Sequence, residues 1–425
     1  LYPTFTYGAN SVDIQIAARP YSAVVDPQSA VQTSYASLLD RSRGHYDQLA
    51  GLYNQLDLLS AGAIGSTLES MAPRTETTRT ELGVMASDTM AGFYRDRLAL
   101  ARTGEAGGTL AMIGQPLQLA ALSNTGMPLT PEVRTDAGGG MVSAPSVKLP
   151  SNVSAYIAGG YMDGHSRPMP SATAPRHDPL DGYYIAAGGE VTNDAGGVVG
   201  LSLSYSDVDG DATALQHAKG KLYQGTLYGT ADLGGLTLSS QASAGLYATD
   251  TTRRFTVGTA DFDLRQHDQS LAASAEVDLG KDIGNAGGLI VTPKVGLRYN
   301  HLGFSKAAET GGAAALASDR SAYDSLQGRA GIDLGGALGK LQPRLHAAYV
   351  HDFNDQPTVF YAGFVGGGGV TAPFALASSD RNWGEVGGAL RYDAGKIAFD
   401  VGMDATIGRG DLNYRSYRGG VTFRF

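Results

Sequence analysis

The residues best equipped for chemistry lie in three short stretches. "DVDGD" sets Asp207, Asp209 and Asp211 at alternate positions, as at the start of a calcium-binding loop. Such a loop needs glycine sixth and a bidentate glutamate twelfth, where this chain has Ala212 and Ala218. The stretch reads as an acidic turn on the outside of the molecule. "HDF" joins His351 to Asp352 and reads as the end of a strand rather than a catalytic dyad. "GGGGV", residues 366–370, has no strand before and helix after it, so it reads as a flexible loop and not a phosphate cradle. H-E-x-x-H, G-x-S-x-G and G-x-x-x-x-G-K-[ST] do not occur. Cysteine is absent, which removes thiolate metal sites, thiol nucleophiles and disulfides. No catalytic residue, metal ligand or cofactor is expected.

The charged residues point to a different use. The chain has 425 residues and a net charge of -9, so it lacks the basic footprint of a nucleic-acid partner. Its 59 glycines are about 14% of the chain, where roughly 7% is usual. Charged residues make up 17%, where about 25% is usual. No run of about 18 apolar residues exists to form a membrane helix, but a membrane barrel needs only alternation. After Pro150, segments of about ten residues alternate in that way. "LAASAEVDL" sets Leu271, Val277 and Leu279 against Glu276 and Asp278, and "LIVTPKVGLRY" sets Val295, Leu297 and Tyr299 against Lys294 and Arg298. Arg329 and Asp333, Arg344, Glu385 and Arg391, and Asp400 and Asp404 occupy the polar face of later segments. These eleven charged residues are expected to line a water-filled or plugged lumen. Tyr161, Tyr183, Tyr205, Tyr299, Tyr349 and Tyr392 fall near segment ends, as in interfacial girdles. A soluble sandwich alternates too, and alternation by itself leaves that open.

These faces need elements to hold them. Thirteen alternating patches run from Val153 to the end, and single-chain bacterial barrels have even strand numbers. "PTVFYAGF", residues 357–364, is the patch set aside, which leaves an all-β, up-and-down transmembrane barrel of 12 antiparallel strands over 151–425. Residues 1–25 read as two short strands around "GANS", and 26–103 carry helical spacing. Within that region Val31, Tyr35, Leu38 and Leu39 lie on one helix, Leu49, Leu52, Tyr53 and Leu56 on a second, and "AGAIGSTLESMA" on a third that stops at Pro73. A fourth, from 75 to 102, would be about 40 Å long, enough to traverse a bilayer core of about 30 Å. Residues 104–150 are a Gly/Pro-rich linker with one possible helix at 108–123. The first residues carry neither an initiating Met nor a leader pattern, which reads as a fragment or mature product.

The order of these pieces resembles the C-terminal part of a monomeric autotransporter, the type V secretion family of Gram-negative outer membranes. "YPTFTYGANSVDIQIAA" resembles the last rung of a β-helical passenger, and "LAGLYNQLDLLSAGAIGSTLESMAP" the helical segment ahead of the translocator. "VSAYIAGGYMDGHS" resembles the first barrel strand, "VVGLSLSYSDVDGD" the third, "SLAASAEVDLG" the sixth, "LQPRLHAAYVHDF" the ninth and "YRGGVTFRF" the last. The linker is longer than the short tether many members have, and both 75–102 and 108–123 are candidates to occupy the pore. Some relatives cleave themselves with lumenal carboxylates and a pore-helix Asn, but 75–102 contains no Asn.

The resemblance implies a translocator that carries or anchors its own N-terminal passenger at the cell surface and does no covalent chemistry itself. Its implied partners are outer-membrane lipid and lipopolysaccharide, the barrel-assembly machinery, periplasmic chaperones and its own passenger, acting as a monomer. Tyr417, Gly419, Val421, Phe423 and Phe425 match the family's terminal assembly signal. A small-solute channel with an accessory helical domain, and a barrel hydrolase, are the alternatives.

Overall fold

The computed structural model describes residues 2–102, 152–193, 196–286 and 289–424. Two strands, β1 (Tyr2–Tyr7) and β2 (Val12–Ala17), form an antiparallel hairpin. Helices α1 (Ala30–Arg41), α2 (Tyr46–Leu56), α3 (Ala61–Ser70) and α4 (Thr75–Arg102) follow. Ser29 and Ser60 accept from Gln32 N (3.2 Å) and Ala63 N (3.4 Å), capping α1 and α3. The pore candidate at 108–123, and the whole of the linker at 104–150, lie outside the described residues.

Strands β3 (Val153–Ser166), β4 (Asp178–Thr192), β5 (Val198–Thr213), β6 (Gln216–Asp232), β7 (Thr237–Val257) and β8 (Ala260–Gly280) pair in sequence. A two-residue strand β9 (Asn285–Ala286) flanks β10 (Leu289–Leu302). Beyond it come the short β11 (Ala307–Ala308) and β12 (Leu316–Asp319), then β13 (Tyr323–Gly336) and β14 (Leu341–Asp352). The short β15 (Val359–Phe364) and β16 (Ala372–Ala375) precede β17 (Asn382–Asp393), β18 (Ile397–Ile407) and β19 (Leu412–Arg424). β10 pairs with β13, and β19 returns to β3 with Tyr417 opposite Tyr161, so twelve antiparallel strands close into a barrel. The patch set aside in the strand count is β15, which joins β11, β12 and β16 in a separate small sheet.

The outer face decides the solvent. Along β5, Val199, Leu201 and Leu203 are 60–72% exposed while Ser202, Ser204 and Ser206 are buried inside. Leu271, Val277, Val295, Leu297, Ile332, Leu345 and Val401 continue the exposed apolar band. A continuous belt of this size is far larger than the patches soluble proteins expose, and it matches the lipid-facing band of a membrane barrel. Tyr161, Tyr183, Tyr205, Tyr223, Tyr299 and Tyr349 edge it at one end, with the Tyr205 and Tyr223 rings 5.0 Å apart. Tyr392 and Phe399 lie near the turn at the other end, opposite each other in register. There the connections are short, for example 233–236, 337–340 and 394–396, as on the periplasmic side of such barrels. That side is the inner end.

At the other end β5 to β8 continue beyond the tyrosine level. The "DVDGD" stretch is therefore not a turn: Asp207, Asp209 and Asp211 lie on β5, paired across to β6, with Lys219 2.9 Å from Asp209. Outward these extensions carry Asp, Lys and His, while Val208, Ala212, Ala218 and Leu222 are buried inside, so the apolar side is the inner one and the lipid-facing apolar row of the barrel is missing there. From Leu246 to the β7–β8 tip at Gly258 is about 40 Å of strand. The tip and the small sheet form a platform on which α1, α2 and α3 sit as a cap. Tyr35, Leu38, Leu39, Leu49, Leu52, Tyr53, Leu56 and Leu68 bury in one cluster with Phe255, Phe360, Phe364 and Phe374. The Tyr35 ring lies 5.0 Å from Phe374, edge on. The 366–370 loop is a tight turn against the cap: Gly368 has φ 69°, and a Cβ there would strike the His45 ring.

Candidate functional site: the occupied lumen

Helix α4 runs through the barrel. A helix buried on every side is normally apolar all round. This one carries Glu76, Arg79, Glu81, Asp88, Asp96 and Arg97, all buried, which only a polar surrounding permits. The strands supply it with opposite charge at successive levels.

Near the outer end Arg79 lies between Glu76 (2.8 Å) and Asp268 (3.2 Å), and Tyr247 donates to its carbonyl (2.6 Å). Asp88 faces Arg298 (2.7 Å) and Arg409 (3.0 Å). Arg95 spans Glu276 (3.0 Å) and Glu385 (3.2 Å), the same two carboxylates that Arg329 holds at 3.0 and 2.5 Å. Asp96 takes the guanidiniums of Arg344 and Arg418, with His346 at 3.5 Å. Arg97 binds Glu190 through two nitrogens, at 2.5 and 2.7 Å, and lies 3.3 Å from the centre of the Tyr156 ring.

The eleven charged residues expected in the lumen are placed as follows. Glu276, Glu385, Arg329, Arg298 and Arg344 pair with α4 or with each other's partners. Asp333 bridges Lys294 and Arg344, Asp278 stands 3.8 Å from Arg329, and Asp404 pairs with Arg418. Arg391 and Asp400 are register partners on β17 and β18 and border one small void beside Arg97. Of the terminal motif, Tyr417 is exposed outward, with Gly419, Val421 and Phe423 on the same side of β19, while Phe425 lies outside the described residues.

Glu190, Asp268 and Arg409 went unread in the sequence. Glu190 shares the parity of Tyr184, Ala186 and Gly188, and that parity was the available signal. A second unread group is the inward tyrosines. Tyr156, Tyr184 and Tyr228 lie over Gly188, Gly160 and Gly200 of the neighbouring strand, directly opposite in register. A Cβ on Gly200 would come within 2.4 Å of the Tyr228 ring. Phe93 and Tyr94 of α4 pack on this aromatic wall, with Tyr94 5.1 Å from Tyr228 and Phe93 6.0 Å from Tyr156 and Tyr184.

The chemistry of the arrangement is retention. Asp96, His346 and Asp404 converge closely enough to suggest a cation site, but Arg344 and Arg418 already occupy Asp96 and would repel a cation. Buried ion pairs add little net stability, yet separating one costs about 3–5 kcal/mol. Sliding α4 by one turn, about 5.4 Å, would mismatch every level at once. The pairs fix its depth and rotation.

The model of the autotransporter beta-domain family matches residues 160–405. No curated protein matches the chain. Among solved structures, the translocator domain of the autotransporter NalP from Neisseria meningitidis is similar at 18% identity, over 64% of this chain and 89% of that one, with a TM-score of 0.53. The beta domain of the Bordetella autotransporter BrkA is 15% identical over 64% of this chain and 100% of that one, with a TM-score of 0.43. The transport unit of AIDA-I from Escherichia coli is 14% identical over 67% and 93%, also with a TM-score of 0.43.

Proposed function

The chain belongs to the autotransporter beta-domain family, and from that premise we propose how its parts divide the work of an outer-membrane translocator. The barrel spans the outer membrane and carries its own N-terminal passenger to the cell surface. Residues 151–425 are the translocator, 104–150 lead back from the inner end of α4 to the first strand, and 26–103 join passenger to pore. Residues 1–25 are the end of the passenger. The barrel performs no covalent chemistry, and any activity belongs to the passenger. The eleven lumenal charges hold the pore helix and leave a polar surface for a chain in transit.

Lipopolysaccharide is the proposed neighbour of the outer tyrosine girdle. The barrel-assembly machinery and periplasmic chaperones are the proposed readers of Tyr417, Gly419, Val421, Phe423 and Phe425. One observation carries the reading: a polar helix threads a closed membrane barrel with its N-terminus outward and ion pairs along its length. It also disfavours a solute channel, because the voids beside α4 measure only about 40 and 70 Å³, room for a few waters. A reporter domain fused ahead of Leu1 should reach the surface of intact cells. A reporter held in the periplasm beside a normally inserted barrel would refute the translocator.

A further inference from the structure

The helix does not fill the barrel evenly. Toward the inner end, voids of about 40 and 70 Å³ open between α4 and strands β10, β13 and β14, lined by Leu98, Leu100, Lys294, Asp333 and Arg344. These walls carry charged groups, and the voids are large enough for a few waters.

The outer end is built differently. Arg74, Thr75, Glu76 and Thr77 are each no more than 3% exposed, although they stand where the chain leaves the barrel. Five separate outer segments grip them or the residues just before them. Arg74 donates to Ser171 and Thr173, both at 2.6 Å, in the β3–β4 connection. Gln216, the first residue of β6, accepts from Arg74 N (3.2 Å) and donates to the Ala72 carbonyl (3.0 Å). Arg253 of β7 donates to the Met71 carbonyl and pairs with Glu309 (2.6 Å). Arg320, before β13, donates to the Glu76 carbonyl, and Ala377 N, after β16, donates to Thr77 Oγ1 (3.4 Å). The cap locks this ring from above, where the Tyr35 hydroxyl donates to the same Met71 carbonyl (2.7 Å).

We propose that the permeability seal of this barrel is the outer collar around residues 71–77, closed by the docked cap, and that the looser packing around the inner half of α4 contributes little to it. The pore helix alone does not make the seal. Undocking the cap opens the barrel even with α4 in place. The proposal concerns where the barrel is shut, and it stands or falls separately from export.

The test is conductance of the full chain in planar bilayers. Phe364→Asp with Phe374→Asp removes the apolar seat of Tyr35, and Arg253→Met removes a donor to the collar without adding a charge to the platform. Cap release is read by trypsin cleavage after Arg43, and barrel integrity by heat-modifiable migration. Both variants should raise conductance several-fold, while Leu98→Ala with Leu100→Ala, which widens only the inner voids, should leave it near wild type. The proposal is overturned if the inner pair opens the barrel as much as the outer variants. It is equally overturned if conductance stays at the wild-type level once trypsin shows the cap released.

Discussion

Replacing Arg97 with Met tests whether ion pairs or shape hold the pore helix. Its guanidinium makes two short bonds to Glu190 and covers the Tyr156 face, with all three side chains buried. Met fills most of the volume but leaves a buried carboxylate with only hydroxyl donors, Tyr228 at 2.9 Å and Ser154 at 3.3 Å. Breaking one partner of a buried pair costs about 3–5 kcal/mol. Glu190→Gln strands the cation instead and should cost about 2–4 kcal/mol. The double variant strands neither charge, and should lose only about 1–2 kcal/mol, giving a coupling of at least about 3 kcal/mol. Guanidinium unfolding of liposome-inserted protein reads this through Trp383, the single tryptophan, which is buried and stacked 4.3 Å from Arg409. Losses that simply add in the double variant would mean that the pair does not hold α4, and the retention argument would fail with it.

Acid should loosen the cap at one node. Burial pushes the Asp57 carboxyl up, but Arg43 (2.7 and 2.6 Å) and the Tyr21 hydroxyl (2.6 Å) outweigh it and hold the group below the usual carboxylate range. A lowered folded value means stabilisation that is complete above the unfolded value of about 3.9 and is lost as pH falls through the folded one. Hydrogen exchange of Leu38, Leu39 and Tyr53 amides should therefore be flat from neutral pH to about 4 once corrected for intrinsic rates, and rise below it. Asp57→Asn should weaken this protection by about 1–2 kcal/mol at neutral pH and reduce the acid response. Gly200→Ala should cost about 1–3 kcal/mol, since the new methyl meets the buried Tyr228 ring, and Tyr228→Leu should recover part of it. Gly225→Ala, whose nearest neighbour would be Leu203 at 3.9 Å, is the matched control and should be near neutral in the same unfolding assay.

The barrel was legible because lipid imposes a two-residue period on every strand. Leu271, Val277 and Leu279 could be separated from Glu276 and Asp278 by counting, and the structure puts the first set on the lipid face and the second inside. Helix α4 was legible from its length, bounds and spacing. What paired with it was not: Asp88 meets Arg298 and Arg409 across more than 200 residues, and no local spacing encodes that. The cap's seat was hidden for the same reason, since Tyr35 packs on Phe364 and Phe374 from loops that read only as apolar or glycine-rich. The acidic stretch on β5 misled because strand pairing continues past the bilayer, where Asp, Lys and His take the outward positions that apolar residues hold at membrane level and the apolar Val208 and Ala212 turn inward. Tyr183 and Tyr184 show the parity rule at its sharpest: adjacent residues, one exposed to lipid and one buried against Gly160 and Phe93.

The central claim is topological: the chain passes outward through a barrel whose first strand starts inside. Because the protein has no cysteine, single substitutions report position without background. Asn10→Cys, in the β1–β2 turn, and Lys396→Cys, in the short β17–β18 turn, are both exposed sites. With a membrane-impermeant maleimide on intact cells, Asn10→Cys should label fully and Lys396→Cys only after the outer membrane is permeabilised. Labelling of Asn10→Cys that also requires permeabilisation would place the N-terminal hairpin in the periplasm and contradict the account.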